Sequence, residues 1–433
     1  MYAINKNSES ANSMNAIGEK LILFILFIYF IFGKIKIFTV FGISLDYLFW
    51  IILSFFLIIE VLLQRWEKNN SIIPAVMYLV YQFYELLNSE YRDKATVVFA
   101  FNVISILIFT YFINKKRAHE IFFSYLYKGG LFYSITIILQ SIVPDIINNL
   151  RKIILSNVDY SISQRGYENA TKYMAGLAPN VAVAAFFISI MLSITISRVL
   201  LQKNTIKNVG ITIIGLIALI LTQKRSFVIG IFFSTAITVL FFNKNLKKKI
   251  RDILLAIVLG GAFIYILYLC LPAMTIFLRR IFENEDVLSG RDAYYDLMKK
   301  WISESPLLGK GLGTCDGTFG YGGHNCYLQL LSETGIIGFV LFAYLVLPHM
   351  HDTAKQLLKC WNDPIIILKS NDKVENLLSA TIAIILIIFY AFFGNPFYDY
   401  TFCLTFFLLL TVSTQLLDVN EEMEIFRKNS EIK

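Results

Sequence analysis

Apolar runs close to the length of a bilayer crossing alternate with short polar joints from Leu21 to Leu417. A hydrocarbon core needs roughly 20 consecutive apolar residues to be crossed by a helix, so the alternation predicts a bundle of spanning helices. The pattern places helices over 18–33, 45–64, 71–88, 95–113, 121–143, 178–201, 206–222, 226–242, 250–271, 333–348, 375–394 and 399–417. Of these, 71–88 is the least typical, being short and rich in aromatic residues. The fold class this predicts is all-α: a polytopic integral membrane protein of about 12 transmembrane helices, with a long extracytoplasmic loop containing short helices. Residues 1–433 read as a single transmembrane domain, with no internal repeat and no soluble domain that has its own core.

Charge adds orientation. Only 16% of residues are charged, against about 25% in a soluble domain. The net charge of +8 does not point to nucleic acid, because Lys and Arg in a membrane protein gather in short cytoplasmic loops. With the N-terminus inside, those loops hold Arg65 and Lys68; Lys115, Lys116 and Arg117; Lys203 and Lys207; and Lys244 through Arg251. The next, 349–374, holds Lys355, Lys359, Lys369 and Lys373, together with His349 and His351, which read as solvated surface. Both termini are then cytoplasmic. Two long segments, 144–177 and 272–332, and the junction Gln223–Lys224–Arg225 face the other side. No cleavable signal peptide is expected at the polar start. The five cysteines form no CxxC pair and no zinc spacing. Cys315 and Cys326 share the large outer loop, where an oxidising compartment would let them pair.

Candidate chemistry concentrates in Leu288–Gly338, the longest polar stretch between apolar runs. Ser289-Gly290-Arg291-Asp292 resembles a capping box, which puts Arg291 in the first turn of a helix through Tyr295 to Trp301. The free N–H groups there favour an anion. Tyr294, Leu297 and Trp301 share one face of that helix, expected to lie on the membrane surface. His324 follows Gly322-Gly323 and precedes Asn325, a plausible N-cap. A histidine there can take a proton from a hydroxyl, and neighbouring cations would lower its pKa. Arg225 sits between two apolar runs with no room for a loop, either snorkelling to headgroups or facing a phosphate. Arg165 in the first outer segment and Lys224 are further cations that could join this field. Asn325 and Tyr327 are candidates for substrate contact. Gly176 and Pro179 suggest a broken helix start. No phosphate-binding G-x-x-x-x-G-K-[ST] loop, serine elbow or histidine-rich metal set occurs, so ATP, a serine ester intermediate and zinc are not expected.

The order of these pieces resembles the O-antigen ligase and polymerase superfamily. The matching pieces are T-Q-K-R225-S, S-G-R291, P306-L-L-G-K-G-L-G and H324-N-C-Y-L-Q-L-L-S-E-T-G-I-I-G. The resemblance implies a glycosyltransferase of the bacterial inner membrane that moves a glycan from undecaprenyl diphosphate onto an acceptor hydroxyl at the periplasmic face, without metal or cofactor. It implies that Arg225 and Arg291 hold the leaving diphosphate and that His324 acts on the acceptor, with Arg165 a less constant match. The partners it implies are the lipid-linked donor and acceptor, membrane lipid, and, as a candidate, a chain-length regulator.

Two activities fit that implication. One is a polymerase joining lipid-linked repeat units into O-antigen or capsule; the other is a ligase passing the glycan to lipid A core. The wealth of Ile, Phe, Asn, Lys and Tyr, associated with low-GC surface-polysaccharide gene clusters, favours the polymerase. A flippase or exporter of the same glycan is the alternative from another class. Transport would favour two related halves and cations within the bundle, whereas here the candidates gather in outer loops beside a base.

Overall fold

The computed structural model describes residues 71–113, 118–168, 173–242, 272–282, 291–361 and 371–412, with isolated positions before and between them. The expected spans 18–33, 45–64 and 250–271 fall mostly outside the described residues, as do Ser289, Gly290 and Cys270. Apart from a two-residue antiparallel pair, β1 (Thr39–Val40) with β2 (Ile43–Ser44), the described elements are helical, and the chain is an all-α polytopic membrane protein.

In order these helices are α1 (Ile72–Asn88), α2 (Arg92–Phe112), α3 (Ala118–Ile142), α4 (Pro144–Ile154), α5 (Asn157–Glu168), α6 (Val181–Leu200), α7 (Thr205–Leu221) and α8 (Arg225–Phe242). There follow α9 (Pro272–Phe282), α10 (Asp292–Glu304), α11 (Thr314–Phe319), α12 (Cys326–Cys360), α13 (Asn371–Tyr390) and α14 (Tyr400–Leu410). Among the described residues six helices are long and apolar enough to cross a membrane: Arg92–Phe112, Glu120–Ile142, Val181–Leu200, Arg225–Phe242, Cys326–Cys360 and Asp372–Tyr390. The segments expected to be outer loops carry short helices, α4 and α5 in the first and α9 to α11 in the second.

α6 is the hub, packing against α3, α7, α8 and α13. Its entry is fixed by Asn180, whose side chain accepts from the Val183 N–H at 2.9 Å. Small residues let its neighbours approach: a Cβ added to Gly130 of α3 would fall 2.4 Å from the Met191 Cβ. Close approach of this kind is how helices associate where lipid supplies no hydrophobic drive.

The two ends of the bundle differ in chemistry. At one, Arg198 and Lys203 pair with Glu375 at 2.7 Å each, and Lys203 also pairs with Asp372. At the other, the Met174 N–H donates to Leu221, the Gly176 N–H to Gln140, and the Cys326 N–H to Ala391. That second end carries the polar stretch singled out in the sequence.

α12 departs from expectation. A span over 333–348 and a separate short helix capped by Asn325 were expected, yet one helix runs from Cys326 to Cys360 and carries Pro348 inside. His349 is therefore not a solvated loop residue; it is 7% exposed and meets the Phe109 ring edge-on. Near its start the helix is interrupted at Gly335, with φ 61° and ψ −169°. A backbone break within an apolar helix must have its freed polar groups satisfied by protein. Here the Ile336 and Ile337 N–H groups donate to the carbonyls of Pro306 and Leu307, and the Thr334 carbonyl accepts from the Tyr81 hydroxyl at 2.8 Å. The P306-L-L-G-K-G-L-G stretch is thus a strap laid across the break. Gly335 is required there twice over, since an added Cβ would stand 2.2 Å from the Leu307 carbonyl oxygen at a left-handed φ.

Candidate active site

The scaffold of the site is a buried carboxylate. Glu333, fully buried, accepts from the Gly313 N–H at 3.0 Å, the Cys315 N–H at 2.9 Å and the Gln329 side-chain amide at 3.1 Å. Its own carbonyl accepts from the Gly311 N–H. One acidic side chain thereby holds the strap and the start of α11 against α12. Gln329 carries the tie onward: its Oε1 accepts from the Gly323 N–H at 2.9 Å. The residue beside His324 is fastened in this way to the helix that follows.

His324 itself takes a left-handed backbone, φ 57°, which a non-glycine residue adopts only when its surroundings enforce it. The Tyr295 hydroxyl donates to its carbonyl at 3.2 Å, and the Tyr321 ring lies 5.5 Å from the imidazole. Asn325 is the N-cap of α12, accepting from the Leu328 N–H at 3.1 Å. Burial, then the charges of Arg291 and Lys224, lower the His324 pKa from 6.5 to about 4. The expected direction holds, but desolvation outweighs the cations. The imidazole is neutral at pH 7 and able to accept a proton.

Arg291 and Lys224 thus come to one histidine from distant parts of the chain. Arg291 is the residue just before α10, two positions earlier in the helix than the Ser289 cap implied, and its side chain makes no capping bond there. Its Nη1 donates to the Phe393 carbonyl at 3.2 Å. Phe393 lies in the turn after α13, the same turn whose Ala391 and Gly394 carbonyls receive the Cys326 N–H. Lys224 immediately precedes α8, half-buried, at the positive end of that helix. Gln223 beside it donates to the Ala273 carbonyl at 2.9 Å, tying α9 to the junction.

The remaining expected residues are placed as follows. Arg225 opens α8 next to Lys224 and is half-buried. Arg165 is exposed on α5, its Nε bonded to the Ser161 carbonyl of the same helix. Tyr327 donates its hydroxyl to the Ile388 carbonyl at 2.9 Å and packs on Phe392. Asn325 and Tyr327 therefore carry structural bonds. The Tyr294, Leu297 and Trp301 face of α10 is half-buried: Tyr294 and Trp301 pack on Phe319 of α11, at 4.7 and 5.6 Å between ring centroids. The Tyr294 and Tyr321 hydroxyls are also bonded to one another. Cys315 and Cys326 are both free and buried, so they form no disulfide with each other; burial pushes the Cys315 thiol well above its usual range.

The positioning roles of Gln329 and Glu333 were missed in the sequence. The available signal was their i, i+4 spacing just after the histidine, which puts both on one helix face.

Residues 210–343 match the family model described as O-antigen ligase. That match runs from within α7 through Lys224, Arg225, Arg291 and His324 into α12. No curated protein matches the chain.

Proposed function

We propose that this chain, whose family match supports membership of the O-antigen ligase and polymerase superfamily, polymerises lipid-linked oligosaccharide repeat units at the outer face of the bacterial inner membrane. The donor is a glycan on undecaprenyl diphosphate, and the acceptor is a hydroxyl on a second repeat unit. The observation that carries the reading is the family match over residues 210–343, which takes in Lys224, Arg225, Arg291 and His324.

In the step proposed, the acceptor oxygen forms a bond to the anomeric carbon as the bond from that carbon to the phosphate oxygen breaks. The acceptor proton passes to the neutral His324 imidazole, and the bonding pair leaves with the diphosphate. Negative charge grows on that leaving group, and preorganised cations in a partly desolvated site stabilise it more than water would. Arg291 suits this role, being permanently charged and able to bind phosphate with two N–H groups. Lys224, Arg225 and the N-terminus of α8 supply further positive field.

A histidine with a pKa of about 4 is a weak base. Binding of the diphosphate offsets the charges of Arg291 and Lys224, the lesser causes of that lowering, and this acts to raise the basicity of His324. In the proposed orientation both termini are cytoplasmic, and the His324 end of the bundle faces the periplasm.

The test is to give purified, reconstituted protein the lipid-linked repeat unit alone. A ladder of longer glycans is the expected product. Product that forms only after lipid A core is added would make the enzyme a ligase, and movement of unaltered donor across the bilayer would make it a transporter.

A further inference from the structure

Arg151, on α4, is 0% exposed, and its Nε, Nη1 and Nη2 atoms have no hydrogen-bond partner among the described residues. Desolvation lowers its pKa only to about 10, leaving it charged at neutral pH; the phenol of Tyr160, on α5, acts on it in the opposite sense. An uncompensated buried guanidinium is among the costliest arrangements a fold can hold. Unsatisfied buried groups call for an ion or ligand that completes them.

The surroundings say which kind. α4 begins two residues after α3, one of the spans, with only Val143 between them. Ile146, Leu150 and Ile153, at i, i+4, i+7 spacing, are 59%, 40% and 62% exposed. Ile147 and Arg151, on the other side of the helix, are buried. A short helix at the end of a span, with an exposed apolar stripe, lies in the interfacial layer where lipid phosphates reside. It lies at the His324 end: Asn148 accepts from Gln140 at 2.9 Å, Gln140 accepts from the Gly176 N–H at 2.8 Å, and Met174 reaches Leu221, just before the Lys224 junction.

We propose that Arg151 is the receptor for the phosphate of a membrane lipid headgroup held between α4 and the bundle. Guanidinium and phosphate match as a planar fork to two oxygens, and a low-dielectric setting strengthens the pair. The headgroup is that of a phospholipid or of a polyprenyl diphosphate; both present the same phosphate oxygens. This site stands on α4 and does not depend on the chemistry proposed at His324.

The test uses the full chain, delipidated in detergent, with phosphatidylglycerol and farnesyl diphosphate in separate arms. Retained adducts are counted by native mass spectrometry, and thermal unfolding is followed alongside. Wild-type protein is expected to retain one of the two probes and to unfold at higher temperature with it. Arg151→Gln should lose about tenfold or more of that affinity, and Arg151→Lys should keep part of it. Retention of phosphatidylglycerol alone identifies a phospholipid site, and retention of farnesyl diphosphate alone identifies the carrier's headgroup. Equal binding by wild type and Arg151→Gln in both arms overturns the proposal. So does a wild-type unfolding temperature that neither probe moves, a result that stands even if Arg151→Gln does not fold. Since no turnover is measured, either failure leaves the reading of His324 untouched.

Discussion

The Gly323 N–H donates to Gln329 Oε1 at 2.9 Å, and the same amide passes a hydrogen to Glu333 at 3.1 Å. The histidine loop and the strap across the Gly335 break are thereby held by one pair of side chains. Gln329→Leu keeps the volume and removes both bonds. It leaves a buried N–H and part of a buried carboxylate unsatisfied, which costs about 1–3 kcal/mol for each such group. The expected result is a lower unfolding temperature together with a fall in kcat that exceeds any rise in KM, because His324 loses its fixed position. Glu333→Gln should be milder than Glu333→Ala, since an amide oxygen still accepts from Gly313 or Cys315. Steady-state kinetics and thermal unfolding of the three variants check the order.

Gly335→Ala should be one of the most damaging small substitutions in the chain. The added carbon would press on the Leu307 carbonyl oxygen at a backbone angle that only glycine takes readily. The conformational strain alone is on the order of 1–3 kcal/mol, and the overlap adds to it. The measurement is the yield and unfolding temperature of the purified variant. Gly210→Ala serves as the control, because an added Cβ there meets nothing within 4 Å.

Helix positions were legible from the sequence wherever burial in lipid or protein sets the pattern. The run 178–201 became Val181–Leu200, and 226–242 became Arg225–Phe242. His324 beside an Asn325 cap was also readable, because capping is a local event. What stayed hidden is long-range. Nothing local reveals that the N–H groups freed at Gly335 are met by Pro306 and Leu307, so the helix capped by Asn325 and the span from 333 were read as separate elements. The expected span ended at 348, whereas the helix runs on through Pro348 to Cys360, supported by packing that a linear pattern does not show. Arg151 and Arg165 look alike as cations in one polar segment, yet the first is buried and the second exposed. Only packing separates them.

The acid limb of activity should report the free enzyme's histidine. Its folded pKa is lowered from 6.5 to about 4, so kcat/KM should hold level from neutral pH to below 5 and fall near 4. The same shift fixes a stability trend. Between pH 6.5 and 4 the unfolded chain binds the proton and the folded chain does not, so the contribution is complete above 6.5 and is lost as pH falls toward 4. Arg291→Gln removes one of the two cations and should move the limb upward. His324→Gln should abolish this part of the stability slope. Rate profiles and unfolding temperatures across pH 4–7 check both.

The most direct test of the central claim is single-turnover release of polyprenyl diphosphate from reconstituted protein supplied with lipid-linked repeat unit, comparing wild type with His324→Ala and Arg291→Ala. The account predicts release with wild type, and folded, membrane-inserted variants whose release falls by about a hundredfold or more, as loss of a general base or an electrostatic stabiliser does. Release by His324→Ala at the wild-type rate would contradict it.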